Sequence, residues 1–301
     1  MMAVIKETKG DKIFNVINYI ILTIILLITF YPLLFVVIAS ISNPDMINSG
    51  QVVLLPKDIS FDGYKRIFQD PRILSGYKNT IIYTVFGTLL NLAVTIPAAY
   101  ALSRKDLVGR NIITIIFMIT MFFSGGLIPT FLLMKRLHLL NTRWAILILG
   151  ATSMWNIVIT RTFFENNIPG ELQEAAEIDG CSDFKIFFSI ILPLSSPIIA
   201  VMTLFFGVAH WNNYFKALIY LSDKKLFPLQ IILREILVKS EFDAQMLLIG
   251  SHDTGTLMDE LRAAEQIKYA LIIIATLPVM LAYPFVQKYF VKGVMVGAIK
   301  G

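Results

Sequence analysis

Three glutamates, Glu171, Glu174 and Glu177, recur at three-residue steps directly after Pro169 and Gly170, and Asp179-Gly180 closes the run. Proline and glycine interrupt the chain, so the acids fall at the start of a new helix, whose positive dipole end favours negative charge. Two readings stay open: a surface helix hairpin whose acids serve only the dipole, or carboxylates presented to a basic partner. Ala175 and Ala176 are small, and Ala176 shares a helical face with Gly180 at i,i+4, which lets another backbone or a bulky side chain approach closely. Gly180 can adopt a positive φ and end the helix. The stretch "SDFKIFFSIIL" then opens a second short helix with Ser182 as its expected cap, and Pro193 and Pro197 reset the direction. Residues 169–193 read as a bent helical knuckle.

A second set of polar and aromatic residues is scattered through apolar runs: Asn91, Thr95, Ser153, Trp155, Asn156, His210, Trp211, Asn212 and Asn213. Sugars bind through hydroxyl hydrogen bonds and by stacking on aromatic faces, so these are types a sugar path would use. The same residues fit other roles. Buried Asn and Thr bond neighbouring membrane helices, and Trp211, just before Lys216, falls where an interfacial aromatic belt is expected.

Catalytic machinery is missing from the pattern. His138, His210 and His252 are far apart and lack His-Glu-x-x-His spacing, and no Gly-x-Ser-x-Gly elbow occurs. Gly250, Gly255 and Thr256 have the glycine spacing of a phosphate loop without its lysine, which reads as a turn. The single cysteine, Cys181, excludes an intrachain disulfide and a multi-cysteine metal site. The expectation is no catalytic residue, no metal and no cofactor held by this chain. Acids are also missing from the interior of the apolar runs, where proton-driven carriers keep them. Uphill movement of a solute would draw its energy from another chain.

Hydropathy sets the elements that position these residues. The chain has 301 residues, 56% hydrophobic and 16% charged, with mean hydropathy +0.71; soluble domains run nearer a quarter charged. Stretches 13–44, 79–103, 111–134, 144–160, 186–215 and 269–287 contain no Asp, Glu, Lys or Arg. Crossing ~30 Å of hydrocarbon takes about 20 residues of helix, and helix lets backbone groups pair where water is absent. Membrane barrels instead show alternating strands of ~10 residues. The reading is an all-α membrane protein with six transmembrane helices, at about 13–41, 79–103, 111–134, 144–163, 186–215 and 269–290. The first run exceeds the roughly 7–15 residues of a signal core and is expected to be retained.

Basic residues near the span ends favour both termini inside. Lys6, Lys9, Lys12, Arg104, Lys105, Arg110, Arg161, Lys185, Lys288, Lys292 and Lys300 then face the cytoplasm, against Lys57, Lys65, Arg66, Arg72 and Lys78 in the first outer loop. That places the knuckle, 169–185, on the cytoplasmic side and a long segment, 216–268, outside. The pI of about 9.1 reflects these flanks, and no basic stripe interleaved with exposed aromatics calls for nucleic acid. Gly125, Gly126 and Pro129 should bend or break the third span. "FDGYKRIF" reads as a short surface helix, and "FPLQIILREIL" and "TLMDELRAAEQIKYA" as amphipathic helices outside.

Glu-Ala-Ala, two residues, Asp-Gly, nine residues, Ile, one residue, Leu-Pro is the order at Glu174, Ala175, Ala176, Asp179, Gly180, Ile190, Leu192 and Pro193. It resembles the signature loop of permease subunits in binding-protein-dependent ABC importers, without departure inside the motif. The resemblance covers nearly the whole chain and is closest to the maltose-type sugar permeases. "SGGLIPTFLL" (124–133), "HWNNYFKALIYL" (210–221) and "QKYFVKGVMVGAIKG" (287–301) look like a branch associated with complex oligosaccharides and polysaccharide fragments. The resemblance implies a type I importer permease fold in a bacterial cytoplasmic membrane. It implies that the loop is a coupling helix seated in a cleft of an ATPase subunit, with Glu174 paired to a basic residue there and the C-terminal tail reaching the ATPase. It further implies a second permease subunit of a different chain, two ATPase subunits that use ATP and Mg, an external solute-binding lipoprotein and a carbohydrate substrate. The rival readings are an ATPase-independent carrier or channel, which would show internal repeats or intramembrane charges, and a membrane scaffold subunit.

Overall fold

The computed structural model describes residues 8–250 and 254–298. Among these there is no β-strand, only an isolated antiparallel bridge between Ser42 and Ile59. The helices are α1 (Lys9–Ser40), α2 (Pro44–Asn48), α3 (Asp62–Phe68), α4 (Arg72–Ser103) and α5 (Arg110–Phe122). Then come α6 (Leu127–Arg136), α7 (Arg143–Ile148), α8 (Met154–Asn167), α9 (Gly170–Ile178) and α10 (Asp183–Ile186). A π-helical turn, Phe187–Ile191, leads into α11 (Leu192–Leu194), α12 (Ser196–Trp211) and α13 (Phe215–Tyr220). The last two are α14 (Leu229–Gly250) and α15 (Thr254–Ala298). Both amphipathic segments and the short surface helix form as expected. Gly250 ends α14, and Gly255 and Thr256 lie in the first turn of α15 rather than in a turn between the helices; residues 251–253, with His252, lie outside the described residues, as do Lys6 and Lys300.

Among the described residues, α1, α4 and the stretch Ala264–Pro284 of α15 are each long and apolar enough to cross a bilayer. Two bent pairs qualify together: α5 with α6, across 111°, and Asp183–Leu194 with α12, across 77°. The first bend falls where glycines were expected to break the third span. Gly126 has φ 81°, a conformation that side-chain-bearing residues avoid, and Pro129 sits in the first turn of α6, where a missing N–H is harmless. The fourth expected span differs more. It is two short helices, α7 and α8, separated by an unwound stretch at 149–153.

The chain divides into two compact units, Met1–Asp70 with Glu235–Thr276, and Pro71–Arg234 with Leu277–Gly301. In the first, buried Gln266 is the tie: its Oε1 accepts from the Gly63 N–H at 3.1 Å, and its Nε2 donates to the Ser60 carbonyl at 2.8 Å. Arg262 pairs with Asp45 at 2.7 Å, and the Tyr64 hydroxyl donates to Ser40 Oγ at 2.8 Å. In the second, α4 is the central post, packed against α8 and α12. A buried cluster of Ile96, Ala99, Leu102, Ile157, Phe164, Ile186, Phe187 and Ile191 fills the end from which the knuckle projects.

Candidate functional site

The knuckle is closed by its own backbone. Asp179 N–H returns to the Ala175 carbonyl at 3.0 Å, Gly180 N–H to Glu177 at 3.0 Å and Cys181 N–H to Ala176 at 2.9 Å. With Gly180 at φ +75°, this is the Schellman arrangement that glycine favours after a helix. Ser182 stands at the start of α10, but its hydroxyl makes no capping hydrogen bond. The wide turn that follows bonds Leu192 N–H to the Phe187 carbonyl. It precedes Pro193, which has no N–H to continue an α ladder, so the loosened turn falls where a donor is missing. Ser195 Oγ then donates to the Ile191 carbonyl at 2.6 Å, inside the bend leading to α12.

Burial separates the motif residues into two groups. Ala176 is 5% exposed and packs into the cluster that holds Ile186, Phe187 and Ile191, with Ile190 and Leu192 against its edge. Its smallness lets the two arms of the knuckle close on each other, so only Gly180 of the expected shared face stays open. Glu174, Ala175, Asp179 and Gly180 are exposed. A Cβ on Gly180 would meet nothing within 4 Å.

The three glutamates are not equivalent. Glu177 accepts from Gln173 Nε2 at 2.7 Å and from Arg104 Nη2 at 3.2 Å. Arg104 grips Asp106 through two 2.7 Å bonds and donates to the Tyr100 hydroxyl at 3.3 Å. That fork holds the Asp106 carboxyl below the usual carboxylate range and pushes the guanidinium further up. Arg110 and Arg161 both hold Glu165, at 2.9 and 3.0 Å. A cavity of about 640 Å³ lies between this turn and the knuckle, lined by Arg104, Arg110, Gln173, Glu174 and Glu177 among others. Among the described residues Glu174 has neither a hydrogen-bond nor an ion-pair partner.

The scattered polar residues converge in part. Asn91 is fully buried, and its Nδ2 donates to the Gly150 and Ala151 carbonyls at 2.7 and 2.8 Å. Its Oδ1 lies 2.7 Å from His210 Nε2, so the histidine carries its proton on that nitrogen. Gly87 makes room, since a Cβ there would lie 2.8 Å from His210 Nδ1. Lys216 Nζ donates to the Leu149 carbonyl at 2.6 Å. The unwound stretch at 149–153 thus has three successive carbonyls met by side chains. Ser153 caps α8, accepting from Asn156 N–H at 3.5 Å, and Trp155 is 63% exposed. Trp211 is buried beside Tyr77, with ring centroids 6.3 Å apart. Asn212 is exposed, Asn213 accepts from the Lys216 N–H at 3.3 Å, and buried Thr95 Oγ1 has no partner. Sequence reasoning missed Lys216 and Arg104 as bonding centres. "GATS" at 150–153, a cluster of small and polar residues inside an apolar run, was the available signal for the break.

Broken apolar helices whose loose carbonyls are satisfied from within belong to membrane proteins with a path between helices. Residues 72–296 match the family described as "binding-protein-dependent transport system inner membrane component", and the chain belongs to that family of transport permease subunits. It is 40% identical over 292 residues to the polygalacturonan/rhamnogalacturonan transport system permease protein YtcP of Bacillus subtilis, covering 97% of this chain and 99% of that one. It is 37% identical over 295 residues to protein LplC of the same organism, covering 98% and 97%. Among solved structures it resembles a bacterial ABC transporter involved in import of the acidic polysaccharide alginate, with TM-score 0.80, 36% identity, and coverage of 95% of this chain and 100% of that one. The protein is a membrane permease of the sugar ABC importer type.

Proposed function

We propose that this chain forms half of the translocation path for an oligosaccharide cut from an acidic polysaccharide, and that it receives force through the knuckle at 169–185. It spans the bacterial cytoplasmic membrane six times, with both termini inside. It pairs with a second permease of different sequence above two ATPase subunits, and an external binding protein delivers the sugar. ATP and Mg stay with the ATPase chains. The substrate class rests on relatives whose names carry polygalacturonan and alginate, both chains of uronic acids.

The observation that carries the coupling role is the uncommitted state of Glu174. Around it, Glu177 is tied to Arg104, Ala176 is packed inward and the turn at Gly180 is stapled by backbone. A stiff seat whose exposed carboxylates at Glu171, Glu174 and Asp179 have no partner among the described residues, with Glu174 the one inside the motif's Glu-Ala-Ala, suits docking into a partner that supplies a cation, because a loose contact would dissipate the closing motion. In proteoliposomes holding the whole transporter, Glu174→Ala and Gly180→Leu are expected to abolish ATP-driven uptake while the subunit stays in the membrane. The leucine adds about 1–2 kcal/mol of backbone strain at positive φ. Normal uptake by both variants would overturn the coupling role, and assembly without any ATPase subunit would favour the carrier or scaffold reading.

A further inference from the structure

Lys216 is an anomaly in this chain. It lies in the first turn of α13, directly after the uncharged run 186–215, and its ammonium points into the protein, 2.6 Å from the Leu149 carbonyl. Asn91 meets the two neighbouring carbonyls with a neutral amide, so the task itself does not call for charge. A lysine serving only as a membrane-edge anchor extends its ammonium toward water and headgroups, whereas this one is turned inward and half-buried. It forms no ion pair with a carboxylate among the described residues, and the Leu149 carbonyl occupies one of its three N–H donors. A partly desolvated cation without a counter-ion is costly and favours an anion when one arrives. Two residues beyond that break, in the first turn of α8, Trp155 is 63% exposed.

We infer that Lys216 is a specificity-determining residue, whose ammonium pairs with a uronate carboxylate of the passing oligosaccharide while the backbone break at 149–153 holds it in place. This rests on the acidic-sugar reading above and adds the group that recognises the acid. Electrostatic pairing of this kind discriminates against a ligand lacking the charge.

The test uses the complete transporter in proteoliposomes, with labelled trigalacturonate and its methyl ester as probes. Each variant is compared with wild type using the same binding protein, so that protein's own preference cancels. Lys216→Gln keeps a donor for Leu149 but removes the charge, and is expected to lower the acid-to-ester ratio of kcat/KM roughly tenfold. Lys216→Arg is expected to keep most of that ratio. A Gln variant that slows both probes equally, or neither, overturns the inference and leaves Lys216 as a carbonyl cap. Failure of the Gln complex to assemble, with the Arg complex intact, overturns it as well, because the charge then serves the fold. Wild-type transporter that carries neither probe would instead sink the acidic-sugar reading.

Discussion

Two interruptions of helix lie in the same unit and are held in opposite ways. At the knuckle, N–H groups of Asp179, Gly180 and Cys181 return to carbonyls within the preceding turn. At 149–153 the carbonyls are met by Asn91 and Lys216, which are remote in sequence. The difference follows from solvent. A break facing water needs only a favourable turn, and the exposed side chains around it stay free for a partner. A break within an apolar run at membrane depth leaves carbonyls that cannot be left bare, so neighbouring helices contribute donors and those residues are no longer free. A third break, at 123–126, shows an intermediate case: Thr130 Oγ1 donates to the Gly126 carbonyl at 2.7 Å, one turn away.

The contrast is open to direct attack. The largest effect is expected from Asn91→Leu, which leaves the Gly150 and Ala151 carbonyls and the His210 N–H without their partner. Each buried orphan costs about 1–3 kcal/mol, so the detergent-purified complex should lose ~3 kcal/mol or more, read as a lower Tm. A variant melting with wild type would mean that the interior break holds itself, and the contrast would fail.

Arg104→Ala should do less to stability, about 1 kcal/mol or below, because its pairs with Asp106 and Glu177 face solvent. Its effect should appear in function as more ATP hydrolysed per sugar imported, since Glu177 no longer steadies α9. An unchanged ratio would remove Arg104 from the seating of the knuckle.

The smallest effect concerns pH. The Asp106 carboxyl is held low by Arg104, so its contribution is present above the ordinary carboxylate value of about 3.9 and is lost as pH falls through the lowered folded value. The stability advantage of wild type over Asp106→Asn, followed through Tm, should therefore shrink in strong acid, by no more than about a few tenths of a kcal/mol given solvent screening. An advantage that grows on acidification would contradict the assigned pairing.

Local spacing made the knuckle legible before any coordinates. Pro169-Gly170 starts α9, Gly180 ends it, and Pro193 and Pro197 turn the chain, because each acts on its own backbone within a few residues. The glycines at 125 and 126 announced the break after α5 for the same reason. The inward turn of Ala176 was hidden, since an alanine at i,i+4 from a glycine looks alike whether it faces a partner or its own chain. In the fourth span the small and polar residues at 150–153 signalled a break, but an apolar run between Trp144 and Thr160 carries no sign that Asn91 and Lys216 wait to receive its carbonyls.

Sequence alone determined the membrane composition, the helical class and the stops and starts of the knuckle, all of which depend on residue type and short spacing. Tertiary structure decided which polar groups are free. Asn91 and Glu174 look equally available as letters, yet one is buried with its amide committed and the other stands exposed without a partner among the described residues. Commitment depends on groups brought close from distant parts of the chain, and distance in space is not written in neighbouring residues.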